Sequence, residues 1–166
     1  NEGSGVWLTN GSEVEILGCT ITGNSDDEIE FRDTDPPVTL TISYSNFEGD
    51  IITNDNGTVN AGSGNIDVDP MFVDTTNGDY HLLASSQLIN AVHPDSTDSD
   101  GTIADMGDYP FLNSYYGPTW YVSATDGNGT TATGSTDSPF ASIQSSINFP
   151  TTAGDSVTVA DGTNVE

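Results

Sequence analysis

The chain has 166 residues, a length that suits one domain or two small ones. It carries 26 acidic residues against a single basic one, Arg32, for a formal net charge of −25. This surface repels nucleic acid, anionic lipid heads and acidic polysaccharides unless cations intervene. No apolar run reaches 18 residues, so no membrane insertion is expected, and the single Cys19 excludes an intrachain disulfide.

Read from its start, "NEGSG" has no basic or apolar leader character and reads as a mature or processed end. Short β-rich runs follow, each bounded by Gly, Asn or Asp: "GVWLTN" (5–10), "EVEILGCTITGN" (13–24), "EIEFRD" (28–33), "VTLTISYSNFEGD" (38–50) and "IITN" (51–54). β-Branched alternation followed by a small polar step and Asn recurs in "CTITGN" and "TISYSNFEG". Strand–turn–strand units spaced about 20 to 25 residues apart are the signature of a solenoid. Cys19 then reads as a core filler. Asn24 and Asn46 read either as an amide ladder between turns or as turn formers.

The grammar changes after "NAGSG". "DPMFVD" (69–74), "NGDYHLL" (77–83) and "SQLIN" (86–90) predict short strands and a tight turn, before an Asp-rich loop (95–105) and "MGDYPF" (106–111). One helix has a start signal, with Ser138 as N-cap, Pro139 at its first helical position, and Phe140, Ile143 and Ile147 along one face. Pro150 ends it. A short amphipathic helix over 138–148 is expected to cap the end of a strand stack. "DSVTVADGTNVE" (155–166) predicts a last strand with a turn.

These residues resemble the right-handed parallel β-helix proteins of bacterial surfaces, the pectate-lyase-like superfamily in its broad sense. Residues 64–111 resemble the closing segment of choice-of-anchor Q domains through Asp69, Pro70, Phe72, Asp74, Gly78 to Leu82, Ser86, Ile89, Asn90 and Asp105 to Tyr109. Residues 120–166 resemble the opening of such β-helices through "WYVSATDGNG", "SPFASIQSSIN" and "AGDSVTVADGT". The resemblance implies an all-β, right-handed parallel β-helix. Residues 1–112 would be closing-type coils, 113–119 a linker, and 120–166 an opening cap and first rung. An end placed before a beginning fits two arrangements: one period of a tandem array, or a subunit that associates head to tail into a filament.

Calcium is the cofactor expectation. Asp95, Asp98, Asp100 and Asp105, with a sharp turn at Gly101, offer hard oxygens of the weak extracellular type. Asp126 with Asn128, and Asp67 with Asp69, read better as turn formers. Asn10, Asn56 and Asn128 head N-x-S/T sequons and are candidate glycosylation sites. Arg32, the sole basic residue, lies in "EFRDTD" among Glu30, Asp33 and Asp35 and reads as ion-paired, not as a lyase base. The pairs Glu13/Glu15, Glu28/Glu30 and Asp33/Asp35 fall at acid–base spacing, but read as solvated strand faces. His81 and His93 have no partner at zinc spacing. The expected function is a non-catalytic, extracellular or cell-surface structural or adhesive module that self-associates and meets glycans. The alternative is a carbohydrate-active or carbohydrate-binding β-helix using Trp7, Trp120, Tyr115 and Tyr116 for stacking.

Overall fold

The computed structural model describes residues 3–32, 35–49, 51–53, 57–149 and 153–160. The chain is all-β with one short helix and divides into two compact units. The first comprises Asn1–Val68, Ala91–His93 and Met106–Asp108; the second comprises Asp69–Asn90, Pro94–Asp105 and Tyr109–Glu166.

In the first unit the chain lays down β1 (Val6–Leu8), β2 (Glu13–Leu17) and β3 (Thr20–Ile21). It then repeats the sequence with β4 (Ile29–Phe31), β5 (Val38–Ser43) and β6 (Asn46–Phe47), and again with β7 (Ile52–Thr53) and β8 (Gly57–Ala61). Strands β1 to β5 each pair in parallel with the strand three elements later, giving the ladders β1-β4-β7, β2-β5-β8 and β3-β6. Val6 meets Ile29, Glu13 meets Thr39 and Thr20 meets Asn46. The third ladder ends with a parallel bridge from Asn46 to Ile66.

Strand alternation turns every second side chain inward. The inward set is Leu8, Ile16, Ile29, Phe31, Val38, Leu40 and Ile42, with Val6, Val14, Ile21, Phe47, Ile51 and Val59 packed against it and only partly buried. The middle strands β4 and β5 are covered on both sides, so Ile29, Phe31, Val38, Leu40 and Ile42 are fully buried. Each such side chain stabilises the fold by about 1.5–3 kcal/mol. Among the described residues the first strands pair on one edge only; Leu8 and Ile16 on them are buried, while Val6, Val14 and Ile21 stay partly exposed.

Two local features fix these strands. Asn10 and Gly11 both take positive φ (54° and 68°), forming the tight turn that Asn-Gly favours, and Ser12 N–H donates to Thr9 O at 3.3 Å. At Gly57 a Cβ would lie 2.1 Å from the Phe31 ring, so only glycine lets β8 close over that ring. Asn46, 1 % exposed, accepts from Val68 N–H (3.0 Å) and donates to Val68 O (3.1 Å). It therefore bonds the next pass of backbone, while the Asn24 amide donates to Glu28.

In the second unit β9 (Phe72–Asp74) and β10 (Asp79–Leu82) form an antiparallel hairpin around a 3-10 turn, Thr75–Asn77. Asp74 caps that turn and Gly78 closes it at φ 78°. β11 (Thr119–Val122) pairs in parallel with β12 (Ser156–Val159), and α1 (Ile143–Asn148) lies between them in sequence. Trp120, Phe140 and Phe149 stack with centroids 5.0–6.2 Å apart and form the core beside β11.

The helix start differs from the expectation. Ser142, not Ser138, is the N-cap, its Oγ accepting from Ser145 N–H at 3.2 Å. Sheet-type bonding holds the residues before it: Phe140 N–H donates to Tyr121 O, and Ser123 N–H donates to Phe140 O. The buried residues of α1 are Ser145 and Ser146, and Ile147 is 58 % exposed, so the expected apolar face is not the packed one. Pro150, the expected stop, and residues 161–166 of the last predicted run lie outside the described residues. "SQLIN" is likewise no strand. Successive bonds from Ser86 N–H to Leu83 O and from Ile89 N–H to Ser86 O wind it into turns, which bury Leu88 and Ile89.

Candidate functional site

The Asp-rich loop brings three of its four carboxylates into one hydrogen-bonded clasp. Asp98 N–H donates to Thr102 O, and Gly101 at φ 87° turns the chain. Asp98 Oδ2 accepts from Asp105 N–H (3.0 Å). Asp100 Oδ1 accepts from Thr102 N–H and Oγ1, and its Oδ2 accepts from Asn113 N–H at 2.8 Å. Asp105, 7 % exposed, accepts from Asn90 N–H on Oδ1 and from Phe111 N–H on Oδ2, both at 2.7 Å.

Burial pushes the Asp105 carboxyl up to about 7, against the pull of its two backbone N–H donors, and the charges of Asp98 and Asp100 add to the rise. Burial also raises Asp98. It acts in the same sense on Asp100, but the N–H groups of Asn113 and Thr102 and the Thr102 hydroxyl outweigh it and hold that carboxyl below its usual value.

These oxygens point at backbone donors. Among the described residues no group of three or more His, Cys, Asp or Glu side chains converges as a cation would require. The hydrogen bonds that are present make the loop a clasp that ties residues 90, 111 and 113 together. Asp95 lies exposed at the start of the loop. Asp69 accepts from Met71 N–H and Asp126 engages Ser123 and Thr125, both within turns, whereas Asp67 accepts from Gly49 N–H, 18 residues earlier in the chain. Loop composition could not reveal the whole clasp, because three of its donors arrive from outside the loop, from Asn90, Phe111 and Asn113.

The second cluster lies on the outward face of β1 and β4, where Trp7 pairs with Glu30. Arg32 forms an ion pair with Glu30 Oε2 at 2.9 Å, and its guanidinium carbon sits 4.2 Å from the centroid of the Trp7 ring. Ser4 Oγ donates to the same Glu30 oxygen at 2.8 Å. Glu28 and Glu30 are 5 % and 8 % exposed, so they are buried acids and not the solvated face that their spacing suggests. Small neighbours explain it: Gly5, Ser4 and Asn24 pack against them, and a Cβ at Gly5 would lie 2.4 Å from the Asn24 amide. Arg32 is ion-paired as expected, with Glu30 as the partner. Asp33 lies outside the described residues. Trp7 remains 54 % exposed.

His81 Nδ1 lies 2.8 Å from Asp79 Oδ1, and its ring is 4.8 Å from that of Tyr109. The His81 hydrogen bond holds the Asp79 carboxyl below its usual range. A shallow crevice beside it is lined by Leu82, Phe111, Leu112 and Thr131, a grouping with no signal in the sequence. His93 packs edge-on against Tyr44. Cys19 is exposed and is not a core filler. Of the sequons, Asn10 and Asn128 are exposed, and Asn56 lies outside the described residues. Asn128 Oδ1 accepts from Thr130 N–H, Thr130 Oγ1 and Thr131 N–H. Of the other aromatics offered for stacking, Trp120 is buried, Tyr115 donates to Thr119 O, and Tyr116 is 60 % exposed. The chain has no match among protein-family models, curated proteins or solved structures.

Proposed function

We propose that this chain is a non-catalytic structural module of an extracellular or cell-surface protein, a short right-handed parallel β-helix whose coil continues onto a neighbouring copy. One observation carries the reading: Val6 and Val14 face inward from the first strands yet stay partly exposed, whereas Ile29 and Leu40, their partners one pass later, are buried completely. Apolar side chains and unpaired backbone groups at such an edge are satisfied when another strand stacks on them. A contact between two different surfaces of one subunit does not close and generates a filament or a tandem array.

The same reading gives cations the role of counter-ions to a charge of −25, in place of a ligand held by Asp95, Asp98, Asp100 and Asp105. Asn10 and Asn128 are its proposed glycan acceptors. Light scattering and electron microscopy of the full chain over a range of concentrations test it. Extended fibres or a concentration-dependent series of oligomers are expected; monomers alone at high concentration overturn it.

The carbohydrate-active alternative draws support from the exposed Trp7 ring beside Glu30. It requires reducing ends or unsaturated products from a panel of polysaccharides. Arg32, committed to Glu30 and Trp7, is poorly placed to act as the base of an elimination.

A further inference from the structure

Resting on the head-to-tail reading, we infer that strand β12 of one copy pairs in parallel with strand β2 of the next, with Ser156 opposite Glu13, Val157 opposite Val14, Thr158 opposite Glu15 and Val159 opposite Ile16. Both edges are open among the described residues: β2 pairs only with β5, and β12 only with β11. All four residues of β12 are exposed, and Val157 and Val159 are each 40 % exposed.

The side chains set the register. On its paired side β2 places Glu13, Val14, Glu15 and Ile16 against Thr39, Leu40, Thr41 and Ile42. The run "TLTI" (39–42) of β5 and the run "SVTV" (156–159) of β12 share one pattern, hydroxyl–aliphatic–hydroxyl–aliphatic. β12 can therefore present to the open edge of β2 what β5 already presents to the other. Within its own chain β12 sets Val157 beside Trp120 and Val159 beside Val122, so the apolar column of one copy runs straight into Val14 and Ile16 of the next.

Competing pairings are weaker. A one-residue slip sets Val157 and Val159 against glutamates and turns the apolar column outward. Pairing β2 with a second β2 brings carboxylates together across the seam, which like charges oppose. Residues 156–159 carry no charge, and their hydroxyls can donate to Glu13 and Glu15.

Disulfide trapping in a Cys19→Ser background tests this register. Strands about 4.8 Å apart lie within the Cα separation that a disulfide spans. Glu13→Cys and Ser156→Cys, both at exposed positions, are placed on separate chains, mixed at high salt and oxidised mildly. A dimer linking the two variants is expected. Glu13→Cys mixed with Thr158→Cys, a diagonal pair about 7–8 Å apart, should yield about tenfold less. Equal trapping of both pairs overturns the register. Fibres or oligomers without trapping overturn it too, while sparing head-to-tail association. Absence of both oligomers and trapping removes both. Unchanged far-ultraviolet circular dichroism shows that the variants remain folded.

Discussion

Asp105 shows how far one carboxyl departs from its composition-level role. A run of aspartates suggests a cation, yet each oxygen of Asp105 takes a backbone N–H, from Asn90 and from Phe111. Folded, it titrates near 7, against an ordinary value of 3.8. Between these values the folded chain holds a proton that the unfolded chain has released, so stability falls as pH rises through the interval. The contribution is fully present below about pH 4 and gone above about pH 7, on the order of 4 kcal/mol in all. Asp105→Asn cannot titrate, although it loses one of the two acceptors. The stability difference between parent and variant, measured by urea unfolding, is therefore expected to shift by a few kcal/mol from about pH 5 to about pH 8, with the parent losing its relative advantage as pH rises. A parallel pair of profiles would show that burial does not control this group. The four aspartates and the turn at Gly101 are legible in the sequence. Their acceptor role is not, because its donors lie up to 15 residues away along the chain.

At the scale of the element, strands are easier to read than the helix. β1 to β7 fall within runs whose period-two alternation is plain, because inward and outward faces differ chemically. β8 gives little signal because "GTVNA" carries one large apolar residue and opens with the glycine that Phe31 demands. The helix misleads in another way. Ser138 and Pro139 form a sound N-terminal signal, but the pull of Phe140 into the aromatic stack with Trp120 and Phe149 overrides it and delays the helix to Ile143. A pair of substitutions separates local signal from tertiary packing. Phe140→Ala is expected to cost about 3–5 kcal/mol in a urea titration, as emptying a fully buried aromatic site does. Ile147→Gln, on the exposed side of α1, should stay within about 0.5 kcal/mol of the parent. Comparable losses at both positions would mean that the amphipathic face read from the sequence is the packed one after all.

For the whole molecule, charge opposes the proposed stacking of copies. In the proposed assembly, continuing one coil onto the next buries Val14, Val157 and Val159, a gain of a few kcal/mol at about 25 cal/mol per Å² of apolar surface. It also brings together two bodies of formal charge −25 with one basic residue each. At low ionic strength, where charges interact over about 30 Å, that repulsion spans the copies; near 1 M salt it reaches only about 3 Å. Association should therefore be suppressed in dilute buffer and grow steeply with salt. Its half-point concentration is expected to fall by at least about tenfold from roughly 0.01 M to roughly 1 M NaCl, as read by light scattering. The identity of a divalent ion then discriminates between its two possible roles. Magnesium keeps its water shell and needs octahedral ligands, whereas calcium accepts about six to eight oxygens in flexible geometry, so a dedicated loop separates them and a diffuse counter-ion atmosphere does not. Because Asp98, Asp100 and Asp105 face backbone N–H groups, magnesium and calcium chlorides are expected to promote association alike. A calcium requirement that magnesium cannot meet would return the aspartate loop to the role of a metal site and remove the counter-ion account.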